Sequence, residues 1–358
     1  MPAQAAPNGI ILFHYPQSPY GRRVRWYLAL RGIAYAECVG HRCNIGHQIH
    51  PANLTVPPKQ IQPWILPRPD METLGVRYRR SPVMAIGRDI YVDSRMILQK
   101  LEELFPPSTE HPALSSKATE GMAALMNKFV VDAGVFSKAV GIMRPDRAAL
   151  QDPAFVKDRQ SFIGKGWSPT AAANARPENL AHVRQCFDIA ESLFADGRSW
   201  VASTPGPSLA DLEGVWAFDW IISDLEPPSE YFSEAIYPRV YDWRKRFKES
   251  VKAARMQAPK PIALKGQDAV QATLAADFSD QTPGVDLDDP LGLEEGRLVD
   301  VYPTDGGGSG PFKDQGRLWR LDKNEVAISV QAPSGEEVRI HAPRWHFRVK
   351  RASARSML

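Results

Sequence analysis

The chain is poor in cysteine, with Cys38, Cys43 and Cys186 as its three in 358 residues. A small, odd number argues against the disulfide framework of a secreted domain and leads us to expect a reducing, cytoplasmic setting. No apolar run reaches the roughly 20 residues that span a bilayer, so no membrane partner is expected. The opening MPAQAAPNG has neither a basic region nor an apolar core, and no signal peptide is expected. A charge of one sign is also lacking. Lys and Arg number 44 against 41 Asp and Glu, and the net charge of +3 is too small to make nucleic acid the main partner. No internal repeat is visible. Hydrophobic residues at 43% and charged residues at 24% describe a globular chain long enough for two or three cores.

The first segment reads strand, tight loop, helix. Ile10 to His14 is a short apolar run, and Tyr15-Pro16-Gln17-Ser18-Pro19 breaks it. Ser18 suits an N-cap, and Pro19 suits the first helical position, where no N–H is needed. Val24, Tyr27 and Leu28 recur at helical spacing before Gly32, and a strand around 34–39 follows, so a parallel pair with a right-handed crossover is expected. A proline-punctuated stretch covers 40–69. Two strands, 81–86 and 89–92, are joined by Gly87-Arg88, and Asp93-Ser94 opens a helix carrying Ile97, Leu101, Leu104 and Phe105.

From 111 to 260 the pattern is helical. Met122, Leu125, Met126, Phe129 and Val130 form one stripe, and Leu180, Val183, Phe187 and Ala190 form another. Ser208-Leu209-Ala210-Asp211 is a capping box ahead of Leu212, Val215, Trp216 and Trp220, and Tyr237 to Arg244 starts a last amphipathic helix. Beyond Pro259 comes a linker with a short helix around 267–278. Alternating runs at Val326–Val330, Val338–Ile340 and Phe347–Val349 then imply a small β-barrel of about five strands, with Pro333 to Glu336 as a hairpin turn and Gly306 to Gly310 as a flexible loop. The expected domains are 8–107 (α/β), 111–258 (all-α), a linker over 259–290, and the β-barrel over 291–352.

Five motifs in one order carry a family resemblance. Ser18-Pro19-Tyr20-Gly21-Arg22-Arg23-Val24-Arg25 resembles the first-helix motif of cytosolic glutathione transferases, where a Ser, Cys or Tyr meets the glutathione sulfur. Ser81-Pro82-Val83 resembles their cis-proline turn, and Asp93-Ser94 resembles the acidic-Ser pair that holds the γ-glutamyl end. Ser208 to Asp211 and Tyr237 to Trp243 resemble late-helix patterns of the same family, and the likeness covers about 8–255. It implies a thioredoxin-like glutathione-binding domain followed by an all-helical transferase domain, with a possible homodimer. Ser81 departs from the family, which usually has an apolar residue before the proline. The C-terminal region is similar to an Src-homology-three-like module of fungal transferase-like proteins, in which Trp319 and Trp345 line a peptide groove or pack in a core.

On this resemblance Ser18 is the catalytic candidate, with Tyr15 its rival. Ser81, Pro82, Val83, Asp93 and Ser94 would bind glutathione, and Arg42, His47, Arg79 and Arg80 are candidates for its glycine end. A hydroxyl donor at a helix N-terminus would stabilise a thiolate by roughly 1–3 kcal/mol, lowering its pKa by about one to two units. The cosubstrate would be a small hydrophobic electrophile, conjugated or isomerised, with a non-catalytic scaffold as the alternative. His41, Cys43, His47 and His50 match no structural zinc spacing, so no metal is expected.

Overall fold

The structure, a computed structural model, describes residues 6–39, 68–305 and 312–352. The histidine and cysteine candidates His41, Cys43, His47 and His50, along with Arg42 and the 306–310 glycine loop, lie outside the described residues. Two compact units form. One comprises Met1–Ser18, Tyr35–Ile97 and Pro261–Leu358; the other comprises Pro19–Ala34 and Leu98–Lys260.

The first unit holds a sheet. Strand β1 (Ile10–His14) is fully buried and pairs in parallel with β2 (Ala36–Val39), as the strand–helix–strand reading predicts. It is joined to β2 through helix α1 (Pro19–Leu30). After the short α2 (Pro69–Thr73), the hairpin of β3 (Val83–Ile86) and β4 (Asp89–Val92) packs antiparallel beside β1. Its turn needs Gly87, whose φ is +58° and where a Cβ would lie 2.1 Å from the Asp277 carbonyl oxygen. Helix α3 (Ser94–Leu104) follows β4.

The second unit is helical. It contains α4 (Glu120–Asn127), α5 (Val135–Gly141), α6 (Ala148–Gln151), α7 (Pro153–Ile163), α8 (Pro169–Ser192), α9 (Leu209–Trp220) and α10 (Pro238–Gln257). Leu180, Val183, Phe187 and Ala190 of α8 are all buried, as their spacing predicts. Leu125 departs from its predicted stripe and is 63% exposed, since the buried face of α4 runs through Ala123 and Met126. The capping box is formed: Asp211 accepts the Ser208 N–H at 2.9 Å and the Ser208 hydroxyl at 2.7 Å. Its other oxygen accepts the Val201 N–H and the Trp243 indole N–H. Tyr20 of α1 packs on Trp216, and Trp26 packs on Phe247.

The chain then returns to the first unit through β5 (Ile262–Ala263), α11 (Gly266–Leu274) and β6 (Gly284–Val285). The strand-rich region is β7 (Leu298–Pro303), β8 (Asp314–Leu321), β9 (Glu325–Gln331), β10 (Glu337–Pro343) and β11 (Phe347–Arg351). Among the described residues these strands run β11-β7-β8-β9-β10, and β10 then pairs in parallel with β4. One sheet therefore continues from the C-terminal strands through β4, β3, β1 and β2 to β5, and among the described residues no ladder joins β10 back to β11. The free edges of β4 and β10 satisfy each other's backbone groups. A common core follows, in which Ile11, Val83 and Ile90 pack with Leu318, Ile328 and Ile340. The strand-rich region and the N-terminal strands are thus parts of one compact unit.

Candidate active site

Strand register gathers the sequence candidates. Phe13 of β1 lies opposite Val83 of β3, and Val83 lies opposite Val92 of β4. The chain leaving β1 (Tyr15 to Ser18), the chain entering β3 (Ser81-Pro82) and the chain leaving β4 (Asp93-Ser94) therefore meet at one end of the sheet. This is the carboxyl end of β1, where loops over an α/β sheet collect ligands.

Each residue reaches that place by local chemistry. Ser18 closes a turn, its N–H donating to the Tyr15 carbonyl at 3.0 Å, and it directly precedes α1. Ser18 is 1% exposed, whereas Tyr15 is half-buried. The Ser81–Pro82 peptide bond is cis. Ser81 Oγ is buried and has no hydrogen-bond partner among the described residues, which leaves a donor and acceptor for a polar ligand. Asp93 adopts φ +71°, a conformation Asp tolerates better than most residues, and this turns the chain from β4 into α3. Ser94 is buried as the first residue of that helix.

The Asp93 carboxylate is already engaged. One oxygen accepts the Arg95 backbone N–H at 2.9 Å and Nε at 3.0 Å, and the other accepts Arg95 Nη2 at 2.8 Å. Burial pushes its pKa up, but the Arg95 charge and these hydrogen bonds outweigh burial and hold Asp93 well below the usual carboxylate range. Arg80 joins the group through Asp305 at 2.7 Å, and Asp305 also lies 3.8 Å from Arg95. Nearby, Arg79 lies over the Phe312 ring, 4.5 Å from its centroid. The sequence reading missed Arg95 and Asp305. The Asp-Ser-Arg run was a usable signal for Arg95, since an i, i+2 acid–base pair at a helix start reaches itself. Nothing local pointed to Asp305.

A second polar cluster sits on β4, β9 and β10. His341 is fully buried and contacts Glu325 through Nδ1 at 2.5 Å and Asp89 through Nε2 at 2.9 Å. Asp280, Glu325 and His341 lie close enough together to hold a metal, but both ring nitrogens are committed to carboxylates and Arg320 stands 3.3 Å from Asp280. The residues fit an ionic network. Trp319 packs against His341 and Arg339, while Trp345 is 53% exposed. Among the described residues, no helix is long and apolar enough to cross a membrane.

Residues 12–109 match the glutathione S-transferase N-terminal domain family, and residues 138–256 match a domain of unknown function, DUF7962. No curated protein matches the sequence. A GST-like protein from Pseudomonas syringae is 20% identical, with a TM-score of 0.64 over 96% of this chain and 100% of that one. A glutathione transferase family member from Pseudomonas fluorescens, with two glutathione bound, is 14% identical, with a TM-score of 0.47 over 72% of this chain and 96% of that one. Rice GST1 in complex with glutathione is 15% identical, with a TM-score of 0.46 over 74% and 95%. The likeness to the Pseudomonas syringae protein is one of fold. The glutathione S-transferase family match is thus to residues 12–109, and beyond them the likeness is one of architecture.

Proposed function

We propose that this chain binds glutathione at the end of the sheet where Tyr15, Ser18, Ser81-Pro82 and Asp93-Ser94 meet, and that the Ser18 hydroxyl stabilises the glutathione thiolate. The observation that carries the reading is the β1–β3–β4 register, which brings three separated motifs to one place. The unpartnered Ser81 Oγ fits a peptide ligand there, and the engaged Asp93 carboxylate does not fit a free ammonium partner. A thiol gives its proton to solvent, and the thiolate then bonds to an electrophilic carbon of a small hydrophobic molecule, either expelling a leaving group with its bonding electrons or adding to an activated double bond whose carbanion takes a proton from solvent. Reversible addition followed by loss would instead isomerise a double bond. A cytoplasmic homodimer and an apolar electrophile pocket in the helical unit belong to this reading, as does a fungal-type, Src-homology-three-like role for the C-terminal strands.

A second reading, a non-catalytic binding protein of transferase fold, is favoured by one observation: Arg95 and Asp305 already satisfy the charges that a ligand would use. Retention on immobilised glutathione separates the two, because an enzyme must be retained. With retention established, Ser18→Ala should lower turnover of a standard electrophile about 10- to 100-fold, the loss of roughly 1–3 kcal/mol of thiolate stabilisation. Unchanged turnover in Ser18→Ala with a comparable loss in Tyr15→Phe would move the role to Tyr15.

A further inference from the structure

We propose that Arg80 and Arg95 form a carboxylate-binding subsite beside Pro82, and that Asp305 is a built-in competitor for it. The proposal rests on the glutathione reading above for the identity of the ligand. Two cations and two acids meet here: Arg80 Nη1 lies 2.7 Å from Asp305 Oδ1, Arg95 Nη2 lies 2.8 Å from Asp93 Oδ2, and the same Nη2 lies 3.8 Å from Asp305 Oδ2.

The two acids are not equivalent. Asp93 is held by three hydrogen bonds from its near neighbour in sequence and its side chain is 10% exposed. Asp305 comes from the segment after β7, makes its close contact with Arg80 among the described residues, and is 19% exposed. An entering carboxylate therefore displaces Asp305 and not Asp93. The exchange keeps the charge balance of the cluster, since one carboxylate leaves for water as another arrives. Thr304 anchors the Asp305 segment, donating its N–H to the His346 carbonyl at 2.7 Å. Ser81 Oγ, between Arg80 and Pro82 in sequence, is a buried polar atom without a partner among the described residues and supplies a further contact for the ligand. The C-terminal segment thus sets the affinity of a site built by the N-terminal strands.

The test is calorimetric titration of glutathione into the full chain. Asp305→Asn keeps the shape and removes the charge, and it should tighten binding about fivefold, the scale of a partly exposed ion pair. Adding Arg80→Ala should abolish that gain. Equal or weaker binding in Asp305→Asn, with wild type binding glutathione, overturns the proposal and leaves the glutathione reading standing. Glutathione esterified at its glycine carboxyl and cysteinylglycine each keep one of the two carboxylates of glutathione; a gain with one identifies the group, and a gain with neither overturns the proposal. If neither protein binds glutathione, that reading fails by itself, and phenylglyoxal labelling of Arg80 and Arg95 decides the subsite. Faster labelling in Asp305→Asn, suppressed by succinate, supports the competitor role, and equal labelling overturns it.

Discussion

Asp314 offers a test of how the C-terminal strands are attached. It opens β8 with its side chain buried, and it accepts the Arg77 backbone N–H at 2.6 Å. Burial pushes its pKa up from 3.8 to about 7, opposed only in part by the backbone N–H groups of Arg77 and Tyr78. The native chain thus holds this proton more tightly than the unfolded chain. Stability from the group is full below the unfolded value, falls as pH rises between about 4 and about 7, and is lost above that. A difference of about 3 units at 1.36 kcal/mol each amounts to about 4 kcal/mol, a large part of the 5–15 kcal/mol of a typical domain. Asp314→Asn keeps an amide oxygen for the Arg77 N–H and does not titrate. Urea denaturation of both proteins across that range isolates the residue, because every other titrating group is shared. The gap in favour of Asn should open with rising pH to about 4 kcal/mol by about pH 8. A gap independent of pH would refute a buried, proton-retaining carboxyl at this position.

Two further outcomes test the same unit. At His341, burial lowers the pKa, but hydrogen bonds and charges of Asp89 and Glu325 outweigh burial and raise it. Its contribution is present below the unfolded value near 6.5 and lost as pH climbs through the native one. The stability gap between wild type and His341→Gln, read by urea denaturation, should therefore narrow in alkali, and a constant gap would refute a charged native histidine. Deleting residues 291–358 removes the strands whose residues share a core with β1, β3 and β4, and it bares the β4 edge. Circular dichroism should then show no cooperative melt of the first unit. A soluble, cooperatively melting truncation would mean that the strand-rich region folds apart from it.

What was legible in the sequence was local. The Gly87-Arg88 turn, the Ser208–Asp211 box, the α8 stripe and the alternation over 326–349 each depend on residues within a few positions of one another, so pattern and turn chemistry suffice. Tyr15, Ser18, Ser81-Pro82 and Asp93-Ser94 were legible as candidates through the family resemblance of the motifs that hold them. The pairing of β4 with β10 was not legible. Alternation in Val338 and Ile340 reports that one face is buried, but it is silent on which edge the strand will meet. Leu125 was misread because spacing alone put it on the apolar stripe, whereas the buried face of α4 runs through Ala123 and Met126. Asp305 was invisible for the same reason as the β10 pairing: its partner Arg80 is remote in sequence and contacts it through the fold alone.

The polar links between the C-terminal strands and the N-terminal segment are not evenly spread. Asp314 takes Arg77, Asp305 takes Arg80, and His341 and Arg339 take Asp89, while residues 81–82 and 93–95 lie between or beside these anchors. The ionic links among these contribute little net stability once desolvation is counted, and apolar contacts such as Ile90 with Ile340 supply the cohesion. Their effect is on register. A slip of one residue between β10 and β4 would turn His341 away from Asp89, breaking that buried contact, and would carry Ile340 off the core face. The cis-proline turn and the Asp93-Ser94 corner are therefore held at fixed spacing by strands that begin some 200 residues later in the chain. An alteration in the C-terminal region that breaks one anchor should change ligand affinity before it changes the fold, because the apolar core outlasts the loss of a single ion pair.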